Sequence, residues 1–141
     1  MKLVKYLVLI GMLVGCNRVE KVSPEALKPL VGRWQLVAQQ NLLSEEKEWV
    51  EVPAAEASFF IIRYDGVVLD AEGRGLCCGP GTLKLNGTEY PIGPRAEVPF
   101  NEVCALVNCA GCPVWDIALD GDTLVLTSCW GGSQSRFARV R

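Results

Sequence analysis

From Gly32 onward, apolar and polar positions alternate in short runs separated by turn residues, the period-two pattern of half-buried strands. Residues 32–40 form one such run, with Trp34, Leu36 and Ala38 on a single face. A second run, 47–52, alternates around Trp49. Three further pairs of runs flank Asp65-Gly66 (58–64 and 67–70), Asn86-Gly87 (82–85 and 88–92) and Asp120-Gly121 (114–119 and 123–128). Asx-Gly dipeptides tolerate positive φ at both corners of a type I′ turn, so each pair predicts a two-residue hairpin. A closing run over 134–140 brings the count to about eight to ten strands, and no long segment has helical periodicity. The pattern predicts an all-β domain, an antiparallel up-and-down meander closing into a small barrel. Before it, Ser23-Pro24-Glu25-Ala26-Leu27 reads as a short helix, with a serine cap and proline in the first turn.

The amino terminus has a different grammar. Lys2 and Lys5 precede an apolar run over 6–14, the length of a signal-peptide core and too short for a membrane-spanning helix. The run ends in Leu13-Val14-Gly15-Cys16, which resembles the lipobox of bacterial lipoproteins. That resemblance implies that residues 1–15 are removed and that the Cys16 thiol takes a diacyl lipid. It also implies acylation of the new amino terminus, and several acyl chains anchor firmly where one would not. Asn17 stands where an aspartate would keep such a protein from the outer membrane, so the implied address is the outer membrane. With no acidic run after Cys16, the periplasmic face is expected. The alternative is an ordinary secretory signal with an incidental cysteine.

Cleavage would leave 126 residues: a lipidated tether over 16–29 carrying the short helix, then one domain over 30–141. The mature chain holds 12 basic and 16 acidic residues, net −4, without a basic cluster, so nucleic acid is not an expected partner. Leu30-Val31-Gly32-Arg33-Trp34 resembles the opening of lipocalin-like domains in bacterial lipoproteins, where Gly-x-Trp begins the first strand. Residues 123–126 and 135–140 are similar to their last two strands. The resemblance implies that Arg139, or Arg136 as second choice, packs over Trp34 and closes the barrel base together with Gly32, a contact with a cation–π rationale.

Six cysteines follow Cys16: Cys77, Cys78, Cys104, Cys109, Cys112 and Cys129. In an exported domain an even set reads as a disulfide framework. Neighbours Cys77 and Cys78 would close a strained ring and are not paired with each other. If Asp120-Gly121 is a two-residue turn, counting outward sets Cys112 opposite Cys129 at a non-hydrogen-bonded position, within reach of a bridge. Pro113 cannot donate to that ladder and marks a place for a bulge. Cys112–Cys129 is the favoured bridge, and the order of Cys77 and Cys78 with Cys104 and Cys109 stays open.

Cys104-x4-Cys109-x2-Cys112, with Cys129 beyond, also has plant-type iron–sulfur spacing, but Ala105-Leu106-Val107 is apolar where a cluster loop is rich in glycine and serine. Zinc at Cys109/Cys112 is disfavoured because the chain has no histidine. Neither cofactor nor metal is expected. Cys109-Ala110-Gly111-Cys112 is a C-x-x-C motif, so thiol–disulfide exchange is the alternative function, although a strand rather than a helix follows it. Without histidine, Ser-His-Asp and Cys-His machinery cannot be built, and no enzyme is expected. The carboxylates around Trp49 (Glu45, Glu46, Glu48, Glu51) and around 116–122 read as solvated faces and turn residues. Of the four tryptophans, Trp130 beside Gly131-Gly132 is the one expected to be exposed. The expected role is binding a small apolar ligand or an envelope protein, with a purely structural role as the alternative. A ligand cavity would be lined by Phe60, Ile62, Leu83 and Leu124.

Overall fold

A computed structural model describes residues 24–41 and 46–141. Cys16, the lipobox, Ser23 and Glu45 lie outside these residues. Helix α1 (Pro24–Leu27) runs into a 3₁₀ turn (Lys28–Leu30) and then into strand β1 (Gly32–Gln40). The other strands are β2 (Trp49–Glu51), β3 (Phe59–Ile62), β4 (Val68–Leu69), β5 (Thr82–Leu85), β6 (Thr88–Pro91), β7 (Val114–Asp120), β8 (Thr123–Thr127) and β9 (Gln134–Val140). They form one sheet ordered β4-β3-β1-β9-β8-β7-β5-β6, curled into a half-barrel. β3 pairs the Gly32–Gln35 half of β1 and β2 pairs the Ala38–Gln40 half, so the two share one flank of the longest strand.

Strand parity builds the core. Trp34, Leu36 and Ala38 alternate inward along β1, which joins the last strand through Trp34↔Arg139 and Leu36↔Phe137, with a bulge before Ala38. The inward faces of β3, β5, β7 and β8 add Phe60, Ile62, Leu83, Ile117 and Leu124, and Leu27 and Leu30 cover the base. Phe60 sets its ring edge-on to Trp115 and Phe137, with centroids 5.3 and 4.8 Å apart. The residues assigned from sequence to a cavity wall, Phe60, Ile62, Leu83 and Leu124, are therefore packed in one buried cluster.

Two features of the sequence-derived topology are corrected. The strands do not form an uninterrupted antiparallel meander, because β5 and β7 are parallel, from Thr82↔Val114 to Leu85↔Ile117. The chain leaves β6 and crosses over through residues 92–113, long enough to bring β7 in at the end where β5 began. Of the three hairpins, only Asn86-Gly87 has both corners at positive φ (47° and 91°) between the partners Leu85 and Thr88. At Asp65-Gly66 the loop holds three residues. Gly66 N–H donates to the Arg63 carbonyl and Arg63 N–H to the Val67 carbonyl, both at 2.9 Å, with Gly66 at φ 82°. At the third hairpin Asp120 faces Thr123, so the corners are Gly121 and Asp122 rather than Asp120 and Gly121. The reason is non-local. With Gly121 at the first corner (φ 56°), the Asp122 carboxylate accepts from Arg139 Nε at 2.9 Å and from Arg141 Nη2 at 2.7 Å.

The sheet edges β4 and β6 are bridged by an irregular segment. Arg63 clasps Asp65 through Nε–Oδ1 (2.8 Å) and Nη2–Oδ2 (2.7 Å) and donates to the carbonyls of Ala96 and Glu97. Asp65 also accepts the Arg95 backbone N–H at 2.8 Å, and Gly75 N–H donates to the Pro99 carbonyl. Asp65 is buried, and its hydrogen bonds from Arg63, with those from Arg95 and Val67, outweigh burial and hold its carboxyl at about 2 instead of 3.8. A carboxyl depressed in the folded state stabilises above its unfolded value and loses that contribution as pH falls through the folded one. The shift corresponds to about 2 kcal/mol, present above pH 4 and lost towards pH 2. Urea unfolding across this range should show that loss, and Asp65→Asn should flatten it; an unchanged acid limb in the variant would remove Asp65 as its source.

Candidate functional site

The registers define two ends. At the base lie the start of β1, the end of β9 and the Gly121-Asp122 turn, with α1 beneath; at the top lie Gln40, Val114, Thr82 and Gln134.

At the base, the Trp34 indole N–H donates to the Leu30 carbonyl at 2.9 Å, and the Arg139 guanidinium lies 4.3 Å from its ring centroid. Arg139 also donates from Nη1 to the Val31 carbonyl at 2.7 Å and from Nη2 to the Pro29 carbonyl. Gly32 (φ 140°) makes room for it, since a Cβ there would stand 2.9 Å from Nη1. Arg136, the second choice from sequence, stacks instead on Trp49 at 4.2 Å.

The cysteines run from the top of β7 into the seam: Cys112 and the Cys78–Gly111 contact lie just before Val114, while Cys104 lies against Gly75, which Leu69 and Ile61 join to Arg33 near the start of β1. Cys77 bridges Cys104, Cys78 bridges Cys109, and Cys112 bridges Cys129 with Cα atoms 5.7 Å apart. The order left open by sequence is thus decided. The β7–β8 ladder ends at Asp116↔Thr127, so the Cys112–Cys129 bridge lies beyond it and not at the facing position that a two-residue Asp120-Gly121 turn would supply. Cys78 takes φ 59°, and a Cβ on Gly111 would collide with its carbonyl oxygen; the glycine of the C-x-x-C segment is there for backbone contact. Cys109 and Cys112 belong to different bridges, so exchange chemistry between them would first have to break Cys78–Cys109.

Between these bridges, a 3₁₀ turn (Glu102–Leu106) is held from three sides. Asn101, a buried polar residue, accepts the Val103 N–H at 3.2 Å and donates from Nδ2 to Asp70 Oδ2 (3.1 Å) and the Gly75 carbonyl (3.0 Å). Cys104 and Cys109 fix the far side. Trp130 Nε1 donates to the Ala110 carbonyl at 3.1 Å, tying the β8–β9 loop to the same frame. On the outside of this frame Phe100 is 78%, Leu106 88% and Trp130 67% exposed, joined by Val103 and Val107. Trp130 was expected to be exposed. The exposure of Phe100 and Leu106 was not, although an apolar run between cysteines without strand alternation was the available signal. From Ala96 to Ser135 the chain has no lysine or arginine.

Two concavities flank these features. One, of about 210 Å³, lies in the seam between the open edges and is lined by Val68, Leu76, Pro80, Ile92 and Val98. A shallower groove of about 620 Å³ beside β1 and β2 is walled by Leu36, Gln39, Val52, Glu51 and Glu56. The carboxylates of 116–122 are drawn to cations, Asp116 to Lys84 at 3.1 Å and Asp122 to Arg139 and Arg141, which with Arg141 first hold the Asp122 carboxyl below its usual range. Among the described residues, no group of three His, Cys, Asp or Glu side chains is arranged to hold a metal ion. Comparison of the chain with family models, curated proteins and solved structures returns no match.

Proposed function

We propose that this chain is a lipid-anchored envelope protein, attached to the outer membrane through Cys16 and facing the periplasm, whose lipocalin-like domain binds a protein and performs no chemistry of its own. The observation that carries this reading is the cysteine frame, where three disulfides hold a segment that displays Phe100, Leu106 and Trp130 to solvent. Exposed aromatic and aliphatic side chains on a rigid support are the raw material of a binding hot spot. Three bridges also favour an oxidising compartment, in keeping with the export signal. The lipocalin likeness draws support from the β1–β9 pairing and from Arg139 over Trp34.

A second reading, a small apolar ligand, is favoured by the 210 Å³ cleft. It exceeds the roughly 150 Å³ of an apolar cavity that accepts benzene but falls short of a drug-sized pocket, so it suits one ring or a short branched chain.

The anchor is tested by feeding an alkyne-tagged palmitate to bacteria making the full chain. The wild type should carry the label and sediment with membranes, and Cys16→Ala should lose the label. A wild-type chain that is exported but unlabelled would leave an ordinary secretory signal.

A further inference from the structure

We infer that the Cys112–Cys129 bridge is a site of reversible reduction, which a dithiol reductase protein opens at Cys129 while the other two bridges stay closed. This goes beyond the binding reading above and does not depend on the fate of Cys16.

Access singles out one sulfur. Cys129 is exposed and its partner Cys112 is half-buried, so an incoming thiolate meets the Cys129 end of the bridge first. The bridge lies beyond the last paired residues of the hairpin, Asp116↔Thr127, and so outside the ladder. Beside it, Gly131 and Gly132 (φ 70° and 66°) turn the chain towards β9, and a side chain added at either would meet no atom within 4 Å. The approach to this loop is therefore open. Both ends of Cys77–Cys104, by contrast, are half-buried. Exchange requires the attacking sulfur to reach the bridge, so exposure decides which bridge reacts and at which end.

The leaving sulfur is provided for. The Cys129 backbone N–H donates to Cys112 Sγ at 3.0 Å. When the reductase's thiolate attacks Cys129 Sγ, a mixed disulfide forms there, the Cys112–Cys129 bond breaks, and Cys112 leaves with the electron pair. A thiolate accepts that N–H more strongly than a disulfide sulfur does, so Cys112 is stabilised as charge develops on it. The reductase's second thiolate then attacks the sulfur of its own first cysteine and releases Cys129. Two electrons and two protons pass from the dithiol to the pair, and the reductase carries away a disulfide. Bonds other than the bridge hold the N–H in place: Ser128 N–H donates to the Ser133 carbonyl at 2.8 Å, Trp130 N–H to Ser128 Oγ at 3.1 Å, and Trp130 Nε1 to the Ala110 carbonyl at 3.1 Å. Gly111, packed against the Cys78 carbonyl, keeps Cys112 beside that N–H and lets the bridge re-form.

The other exposed sulfur, Cys109, belongs to a bridge that does not stand alone. Cys77–Cys104 is adjacent to it on one side and five residues off on the other, so the cut ends of Cys78–Cys109 stay together and close again. Cys112–Cys129 spans the whole β7–β8 hairpin, and among the described residues no second bridge joins the same two segments. A reduced state stabilised by the N–H, and a ring closed by one bridge only, set this pair apart as the most readily reduced of the three. Opening it leaves the Trp130 bond to Ala110 to hold the β8–β9 loop on the cysteine frame. Reduction thus weakens the tie on Trp130 while Cys104 and Cys109 keep their places.

The test exposes the oxidised full chain to dithiothreitol for graded times, traps free thiols by alkylation and maps them by mass spectrometry. Cys112 and Cys129 should open together, about tenfold faster than either other pair. Reduced thioredoxin in place of dithiothreitol should open the same pair. With glutathione, the mixed disulfide should sit on Cys129 and the free thiol on Cys112. Once both are reduced at neutral pH, Cys112 should alkylate faster than the more exposed Cys129, as the N–H contact requires. Changing Cys112 and Cys129 together to serine should abolish the fast phase and leave the remaining four cysteines closed. A fast phase that persists in this variant would assign the labile bridge to one of the nested pair and overturn the proposal. Simultaneous opening of all three bridges, glutathione on Cys112, no reaction with thioredoxin, or a new Cys109–Cys112 bridge would overturn it too. Peptide mapping reads Cys16 separately, so a failure of the lipid reading leaves this result intact.

Discussion

Replacing Trp34 with alanine should destabilise the domain by about 3–5 kcal/mol, the largest loss expected from any single truncation here. The indole is fully buried, and it is the joint at which four segments meet. Its N–H satisfies the Leu30 carbonyl at the end of the 3₁₀ turn, its face receives the Arg139 guanidinium, and its flanks are covered from β1, β3 and β9. Truncation leaves a cavity and an unpartnered carbonyl, and removes the surface that orients Arg139 towards Val31 and Pro29. Chemical denaturation of oxidised protein reads this directly. Arg139→Lys keeps the charge but loses the planar fork that reaches two carbonyls, so it should cost less than Trp34→Ala but remain measurable. A Trp34→Ala loss below about 1 kcal/mol would mean that the base collapses around the gap and that this joint is not what closes the sheet.

Removing both bridges that hold the 3₁₀ turn should cost more than twice the loss from removing either. Cys77–Cys104 and Cys78–Cys109 enclose nearly the same stretch, with separations of 27 and 31 residues. Once one is closed, the other adds a ring of only a few residues. On the loop-entropy model the first closure contributes about 3.5 kcal/mol and the second about 2. Replacing Cys78 and Cys109 with serine should therefore cost about 2 kcal/mol, and replacing all four cysteines about 5–6. The order of the losses matters as much as their size. Strict additivity in denaturation midpoints would show that the two bridges restrain the unfolded chain independently, contrary to this nested arrangement. Loss of both should also free Phe100 and Leu106 from their frame.

What could be read from the residues was set by local physics. β1 and β9 were legible from end to end because period-two alternation requires only that one face be buried and the other wet. The Asn86-Gly87 hairpin was legible because its backbone needs two positive-φ residues and the sequence offers them. An even set of cysteines after an export-like leader signalled bridges for equally local reasons. What escaped was set by partners distant in sequence. Asp65-Gly66 carries the same signal as Asn86-Gly87, yet its loop takes three residues, and Asp65 turns to Arg63 and the Arg95 backbone. The register of β7 against β8 followed Asp122 to Arg139 on a neighbouring strand and to Arg141 just beyond its end.

By itself, then, the sequence determined the strand inventory, the inward faces of β1, β3, β5 and β8 and the presence of a disulfide framework, because each follows from backbone geometry, burial parity or thiol chemistry within a short window. Only the tertiary structure decided that β7 runs parallel to β5, that Cys77 takes Cys104 and Cys78 takes Cys109, that Phe60, Ile62, Leu83 and Leu124 pack together, and that Phe100 and Leu106 stand in solvent. These outcomes depend on how the 92–113 crossover closes over the sheet. Such a closure is fixed by contacts summed across the whole domain, which no local window of residues contains.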